Sequence, residues 1–131
     1  MTLQEFREKY YLHDSSIEKV TFDPEKKILT LTIELCFWWQ DWYDKKEPTN
    51  GLIRITFENV SLFEYDDSIA DRIFSDELDS EIHCADLDEN GVLVFFSVEV
   101  IDYSNDDDDI YYSLKVKAEN VEVEELERYT L

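Results

Sequence analysis

The chain has 131 residues, 33 of them acidic and 12 basic, which gives a formal charge of −21. Such charge with few apolar residues would read as disorder, but 44% of the residues are hydrophobic and 15% aromatic, so the charge coats a folded body. A surface this acidic repels phosphate backbones and anionic lipid; it argues against nucleic acid and membranes as partners and for a basic protein.

The length suits one domain spanning residues 1–131, and with two Gly and two Pro no linker divides it. The opening residues lack the basic flank and apolar run of a signal peptide. Two cysteines, Cys36 and Cys84, do not make a disulfide framework, and small packing roles are expected for both. The expectation is a cytoplasmic protein, either a monomer or a weak homodimer.

Residues 2–11 predict a short helix. Thr2 and Glu5 have capping-box spacing, and Leu3, Phe6 and Tyr10 make one apolar stripe. The polar run His13-Asp14-Ser15-Ser16 should end it and turn the chain into a strand. From there the period becomes two. Residues 17–22 are the first strand, closed by a turn at Asp23-Pro24. The second puts Leu29, Leu31, Ile33, Leu35 and Phe37 on one face and Thr30, Thr32, Glu34 and Cys36 on the other. Continuing the alternation places Trp39 with the core and Trp38 opposite. Residues 41–51 form a loop closed by Asn50-Gly51, and Ile53, Ile55 and Phe57 then face inward.

Residues 62–65 predict a short strand, and 68–74 a helical turn or two. Residues 81–87 predict another strand, with Asn90-Gly91 in a type I′ turn after it. Val92, Val94, Phe96, Val98 and Val100 read as an inward face, as do Ile110, Tyr112, Leu114, Val116 and Ala118 beyond the acidic loop 102–109. Lys115 and Lys117 face outward, within cross-strand reach of Glu99. Val121 and Val123 extend the ladder, although Val123 and Leu126 also suit a helix. The class is mainly β (α+β): one N-terminal helix and six or seven mostly antiparallel strands in a sandwich or strongly curved sheet.

No segment carries a catalytic signature. Three consecutive residues such as His13-Asp14-Ser15 cannot easily converge on one centre, so a turn is the better reading. His13, Cys36, His83 and Cys84 lack zinc-motif spacing. Asp86 to Gly91 matches half of a calcium loop, but Ser97 stands where a bidentate Glu belongs, and a hairpin turn is favoured. The sharper signal is the segment 37–43. Trp42 and Tyr43 fall in a loop, where rigid aromatics serve binding or fold back to cap the core.

Residues 10–20, with His13-Asp14-Ser15-Ser16 at their centre, precede a turn and the strand 28–33. This stretch resembles the start of the Imm50-type immunity proteins of bacterial polymorphic toxin systems, and the segment 54–60 is similar to their middle strand and turn. The Trp-Pro-Ser-Phe run often seen before the His-Asp pair is missing here. The resemblance implies an antitoxin that binds and blocks a toxin domain, often a nuclease, without catalysis. His13 and Asp14 would be its signature positions, in a structural role.

The sequence therefore points to a non-catalytic acidic binding protein for a basic partner, with no cofactor and no metal. Its expected contact residues are Trp38, Trp42, Tyr43, Asp41 and Asp44, together with Asp106, Asp107, Asp108 and Asp109. A small-ligand or carbohydrate site at 37–43, and more weakly a calcium module at 86–91 or 102–109, are the alternatives. Much of the negative charge is assigned to loops, including 41–47, 66–71, 86–89 and 102–109.

Overall fold

In a computed structural model the described residues are 1–46 and 48–130. Glu47, counted above in the first acidic loop, lies outside them. The described residues form one short helix, α1 (Leu3–Lys9), and eight strands. These are β1 (Ser16–Asp23), β2 (Ile28–Cys36), β3 (Asn50–Glu58), β4 (Leu62–Tyr65), β5 (Ser80–Leu87), β6 (Leu93–Glu99), β7 (Ile110–Lys117) and β8 (Asn120–Tyr129). They make one antiparallel sheet in the order β4-β7-β6-β5-β1-β2-β3-β8.

The sheet cannot be flat. β1 and β4 stand four places apart, about 19 Å at the usual strand spacing. The rings of Phe22 on β1 and Phe63 on β4 are nonetheless 4.9 Å apart. The sheet consists of two four-stranded halves, β1-β2-β3-β8 and β5-β6-β7-β4, folded over a common core. They are hinged at β1–β5, where only Ser16↔Glu81 and Ile17↔Ser80 pair.

The opposite side is closed by a bent ribbon. β3 pairs with β8 and β4 with β7, so 50–65 and 114–129 run as one antiparallel pair through both halves. The bend falls at Asn59, whose φ of 52° re-aims the chain, and at 118–119. The Ser61 amide donates to the Lys117 carbonyl and the Glu119 amide to the Glu58 carbonyl. Strands that switch sheets through such bends form the corners of packed β-layers.

Helix α1 covers an open side. Its capping box is present in full: Thr2 Oγ1 accepts from the Glu5 amide, and the Glu5 carboxylate from the Thr2 amide. Leu3 and Phe6 are buried, with Phe6 edge-on to Phe57. The helix stops at Lys9, well before the polar run expected to end it. Tyr10 is extended, and His13 and Asp14 belong to the entry of β1 instead.

The β2 alternation is as expected, with Leu29, Leu31, Ile33, Leu35 and Phe37 each at most 1% exposed. Full burial of each such side chain contributes about 1.5–3 kcal/mol. The valine reading of β6 is one residue out of phase. Leu93, Phe95, Ser97 and Glu99 turn inward and Phe96 is exposed, although Val92 and Val98 are buried as expected. An inward Glu99 is tolerated because its carboxylate is saturated. Oε1 accepts from the Asp79 amide and Ser80 Oγ, and Oε2 from Arg72 Nε at 2.9 Å. Glu99 is therefore not a partner for Lys115, which lies opposite Glu64 and Val94.

Two turns also differ from expectation. Asn50 and Gly51 lie inside β3, where Gly51 makes room for the Phe37 ring; a Cβ there would sit 2.3 Å from that ring. In the β5–β6 hairpin only Gly91 has positive φ, 76°, and its amide donates to the Asp88 carbonyl. This is a type I turn with a glycine bulge, not type I′. Val121, Val123 and Leu126 belong to a strand, with Leu126 the extra residue of a bulge opposite Leu52 and Ile53.

Candidate functional site

The loop between β2 and β3 departs from the strand period at once. Phe37–Trp39 form a 3-10 turn, so Phe37 stays in the core while Trp38 and Trp39 are 66% and 49% exposed. This corrects the inward placement of Trp39, because a 3-10 turn rotates successive side chains by about 120° instead of 180°. The loop is held by buried Gln40. Its Nε2 donates to the carbonyls of Tyr11 (2.7 Å) and Cys36 (2.9 Å), and its Oε1 accepts from the Tyr11 amide. Nothing in the sequence pattern marked Gln40; a glutamine flanked by tryptophans has no local signature of burial.

The loop aromatics go three ways. Trp42 packs edge-on against Phe37 at 4.8 Å, with the Arg128 guanidinium over both rings at 5.4 and 5.5 Å. Trp38 stacks on Tyr43 at 5.9 Å beside an open cleft of about 650 Å³ that also holds Lys45. Trp39 turns toward the entry of β1, donating from Nε1 to Asp14 Oδ2 at 3.2 Å and meeting the His13 ring edge-on at 5.0 Å.

Two backbone irregularities meet at that point. Asp14 has a φ of 62° and donates its amide to the Ile82 carbonyl. Opposite it, β5 carries a bulge whose extra residue is His83. His13 Nδ1 lies 2.6 Å from the His83 carbonyl, and the Ile82 amide donates to the Ser15 carbonyl. Bulges and left-handed residues re-aim side chains. Here they turn both His83 and Cys84 outward, although adjacent strand residues ordinarily alternate. Cys84 is thus exposed and not a packing residue, while Cys36 is half-buried with its thiol pKa raised by burial.

The His83 ring continues the surface across β6 and β7, 6.0 Å from Phe96 and 6.4 Å from Tyr111. Trp39, His13, His83, Phe96 and Tyr111 therefore form one band crossing the hinge between the two halves, while Trp38 turns away to Tyr43. Phe96 is 42% and Tyr111 59% exposed. Sequence reasoning missed this half of the band because the phase of β6 was misassigned.

The acidic residues divide. Asp41 and Asp44 are exposed in the aromatic loop, and Asp44 caps the Lys46 amide. Asp106, Asp107 and Asp108 form a 3-10 turn capped by Asn105, with Asp109 following. That loop is anchored elsewhere, through Tyr103, whose hydroxyl donates to Asp79 Oδ2. Among the described residues no hydrogen bond, ion pair or ring contact links it to Trp38, Trp42 or Tyr43.

His13 has Nδ1 against the His83 carbonyl and Nε2 3.4 Å from Asp14 Oδ1, so both ring nitrogens face protein groups. Among the described residues no three His, Cys, Asp or Glu side chains are arranged to hold a metal. Asp88 Oδ1 accepts from the Asn90 and Val92 amides, and Asp102 Oδ1 from the Ser104 amide and hydroxyl, so both turn carboxylates serve their own loops. No helix among the described residues is long and apolar enough to cross a membrane.

No family model matches this chain, and no curated protein or solved structure is detectably similar to it.

Proposed function

We propose that this is a non-catalytic binding protein that docks a basic protein through its aromatic band. One observation carries the reading: Trp39, Phe96 and Tyr111 are exposed along one band on a body of charge −21. Desolvating such rings provides affinity, while the surrounding carboxylates attract a basic surface and orient it. The likeness of residues 10–35 to Imm50-type immunity proteins makes a toxin domain the particular partner we favour. The test is stopped-flow tryptophan fluorescence against a panel of basic bacterial toxin domains. Association should slow about tenfold between low salt and ~0.15 M salt. Replacing Trp38 and Trp39 by Ala should weaken binding by more than about tenfold. A rate indifferent to salt, or binding untouched by both substitutions, would overturn the reading.

A second reading, a small-ligand or carbohydrate site, draws on a cleft of about 280 Å³ that holds Trp42 beside Glu125 and Arg128. Quenching of Trp42 by a neutral sugar panel, absent in Trp42→Phe, would support it.

A further inference from the structure

We propose that the basic partner adds a β-strand to the free edge of β8, and that this strand alternates basic with apolar residues. The inference rests on the binding-protein reading above and specifies how the partner engages. β8 is ten residues long and ends the sheet. At Val121 the outward backbone groups are occupied: its amide donates to the Met1 carbonyl, and the Met1 amino group donates to its carbonyl. Backbone direction repeats every two residues, so Val123 and Glu125 turn their N–H and C=O the same way, beyond Met1. Among the described residues no other backbone bond between strands or loops reaches this stretch of the edge. The opposite edge, β4, has four residues, too few for a comparable ladder.

Side chains decide what the edge accepts. Glu122, Glu124 and Glu127 lie on the outer face, and all three are exposed. Arg54 reaches Glu124 at 3.1 Å, so a cation on this face already has a counterpart. Two copies pairing edge to edge would set glutamate against glutamate, which is repulsive. A strand bearing Lys or Arg at alternate positions meets the opposite condition. On the inner face the edge borders the cleft lined by Tyr10, Phe37, Trp42, Val123 and Glu125. Arg128 rests over two of its rings and pairs with Glu125, which shows that this wall suits guanidinium stems as well as apolar groups. Ladder hydrogen bonds would supply affinity and these two faces selectivity.

The probe is a nine-residue peptide alternating Arg and Val, followed by amide hydrogen exchange on the intact protein. The expected result is at least tenfold slower exchange at Val123 and Glu125. Glu125→Pro, which removes an outward N–H, should abolish binding, and Glu125→Gln should weaken it severalfold with the fold intact by circular dichroism. The same peptide with Pro at its centre should not bind. If the Arg-Val peptide binds but protection falls on 37–46, or β8 exchange is unchanged, strand addition is overturned and the band-docking reading stands. If neither the peptide nor any of the basic toxin domains binds at low salt, both fall.

Discussion

His13 Nδ1 lies 2.6 Å from the backbone carbonyl of His83, across the line where the two halves of the sheet meet. β1 and β5 pair over only two residue pairs there. The join therefore relies on the irregular segment beside it, where Asp14 and Ser15 exchange backbone bonds with Ile82. The same contact orients Trp39, so stability of the hinge and presentation of the aromatic band share one cause.

Substitutions at Asp14 should separate backbone from side-chain effects. Ala at a φ of 62° carries a penalty of about 1–2 kcal/mol. Asn tolerates that conformation and can still accept from Trp39 Nε1, so Asp14→Asn should be near neutral. Asp14→Gly, relieved of strain but without the acceptor, should fall between them. Urea midpoints at constant m-value would check this order; Ala equal to Asn would contradict it. His13→Ala should cost about 1 kcal/mol, the net worth of one hydrogen bond.

The half-buried Arg72 and fully buried Glu99 should be the most sensitive polar pair. Glu99 is fully buried, and its neighbour Ser80 Oγ accepts from the Tyr112 hydroxyl at 2.6 Å. Glu99→Ala leaves Arg72 Nε, the Asp79 amide and Ser80 without their acceptor, and about 3 kcal/mol should be lost in chemical denaturation. Tyr112→Phe should cost about 1 kcal/mol. Burial raises the Tyr112 pKa to about 12. The neutral phenol is the form the fold favours, so its contribution is complete below an unfolded value of about 10. It is lost as pH rises from there through about 12, and Tyr112→Phe should flatten the stability profile in that window.

Gly51→Ala should act at a distance along the chain. The new Cβ would meet the Phe37 ring at 2.3 and 2.6 Å, and that ring supports Trp42 and Arg128. Overpacking of this kind costs about 1–3 kcal/mol, and Trp42 fluorescence should shift with it. Gly91→Ala is the control. Its Cβ meets nothing within 4 Å, and the cost comes from a φ of 76°, so the Trp42 spectrum should stay unchanged.

The mainly β class and the register of β2 were legible because Leu29 through Phe37 alternate without interruption over a fixed outward Glu34. The eighth strand was half-seen, since Val123 and Leu126 fit either period and only the bulge at Leu126 resolves them. Bulges at Glu18 and His83 shift the inward set by one residue and leave no mark in composition. The phase of β6 was misread because four valines alternate around Phe96 more cleanly than Leu93, Phe95, Ser97 and Glu99. Only the long-range partner Arg72 reveals why Glu99 can turn inward. For the site, 37–43 stood out by its aromatics, but their division into three directions depends on Gln40, Arg128 and Asp14, each distant in sequence or unmarked by type.

Glu18 offers a stability gain with a defined pH window. It is the extra residue of the β1 bulge, half-buried, and its pKa is raised first by burial and then by Glu34 and Asp79. A raised carboxylate pKa means that the fold disfavours the charged form. The penalty is absent below the unfolded value, about 4.3, and is fully present once pH exceeds the folded value. Glu18→Gln should therefore stabilise the protein at pH 7, by about 0.5 kcal/mol once solvent screening is allowed for. The gain should vanish near pH 3. A gain of equal size at both pH values would mean that packing, not charge, is responsible.

Phe96 and Tyr111 test whether the band acts as one surface. They sit on β6 and β7, on the far side of the hinge from Trp39, and are linked to it through His83 and His13. Both are too exposed to hold the core together. Changing both to Ser should leave thermal stability within about 0.5 kcal/mol, as for surface positions generally. If the band is one docking face, the double variant should still lose partner affinity about tenfold, chiefly through faster dissociation, because apolar anchors govern residence more than encounter. Adding the Trp38 and Trp39 substitutions should then cost less than the two losses combined, since residues anchoring one partner surface couple. Affinity unchanged by the Phe96 and Tyr111 pair would confine the docking face to the β2–β3 loop.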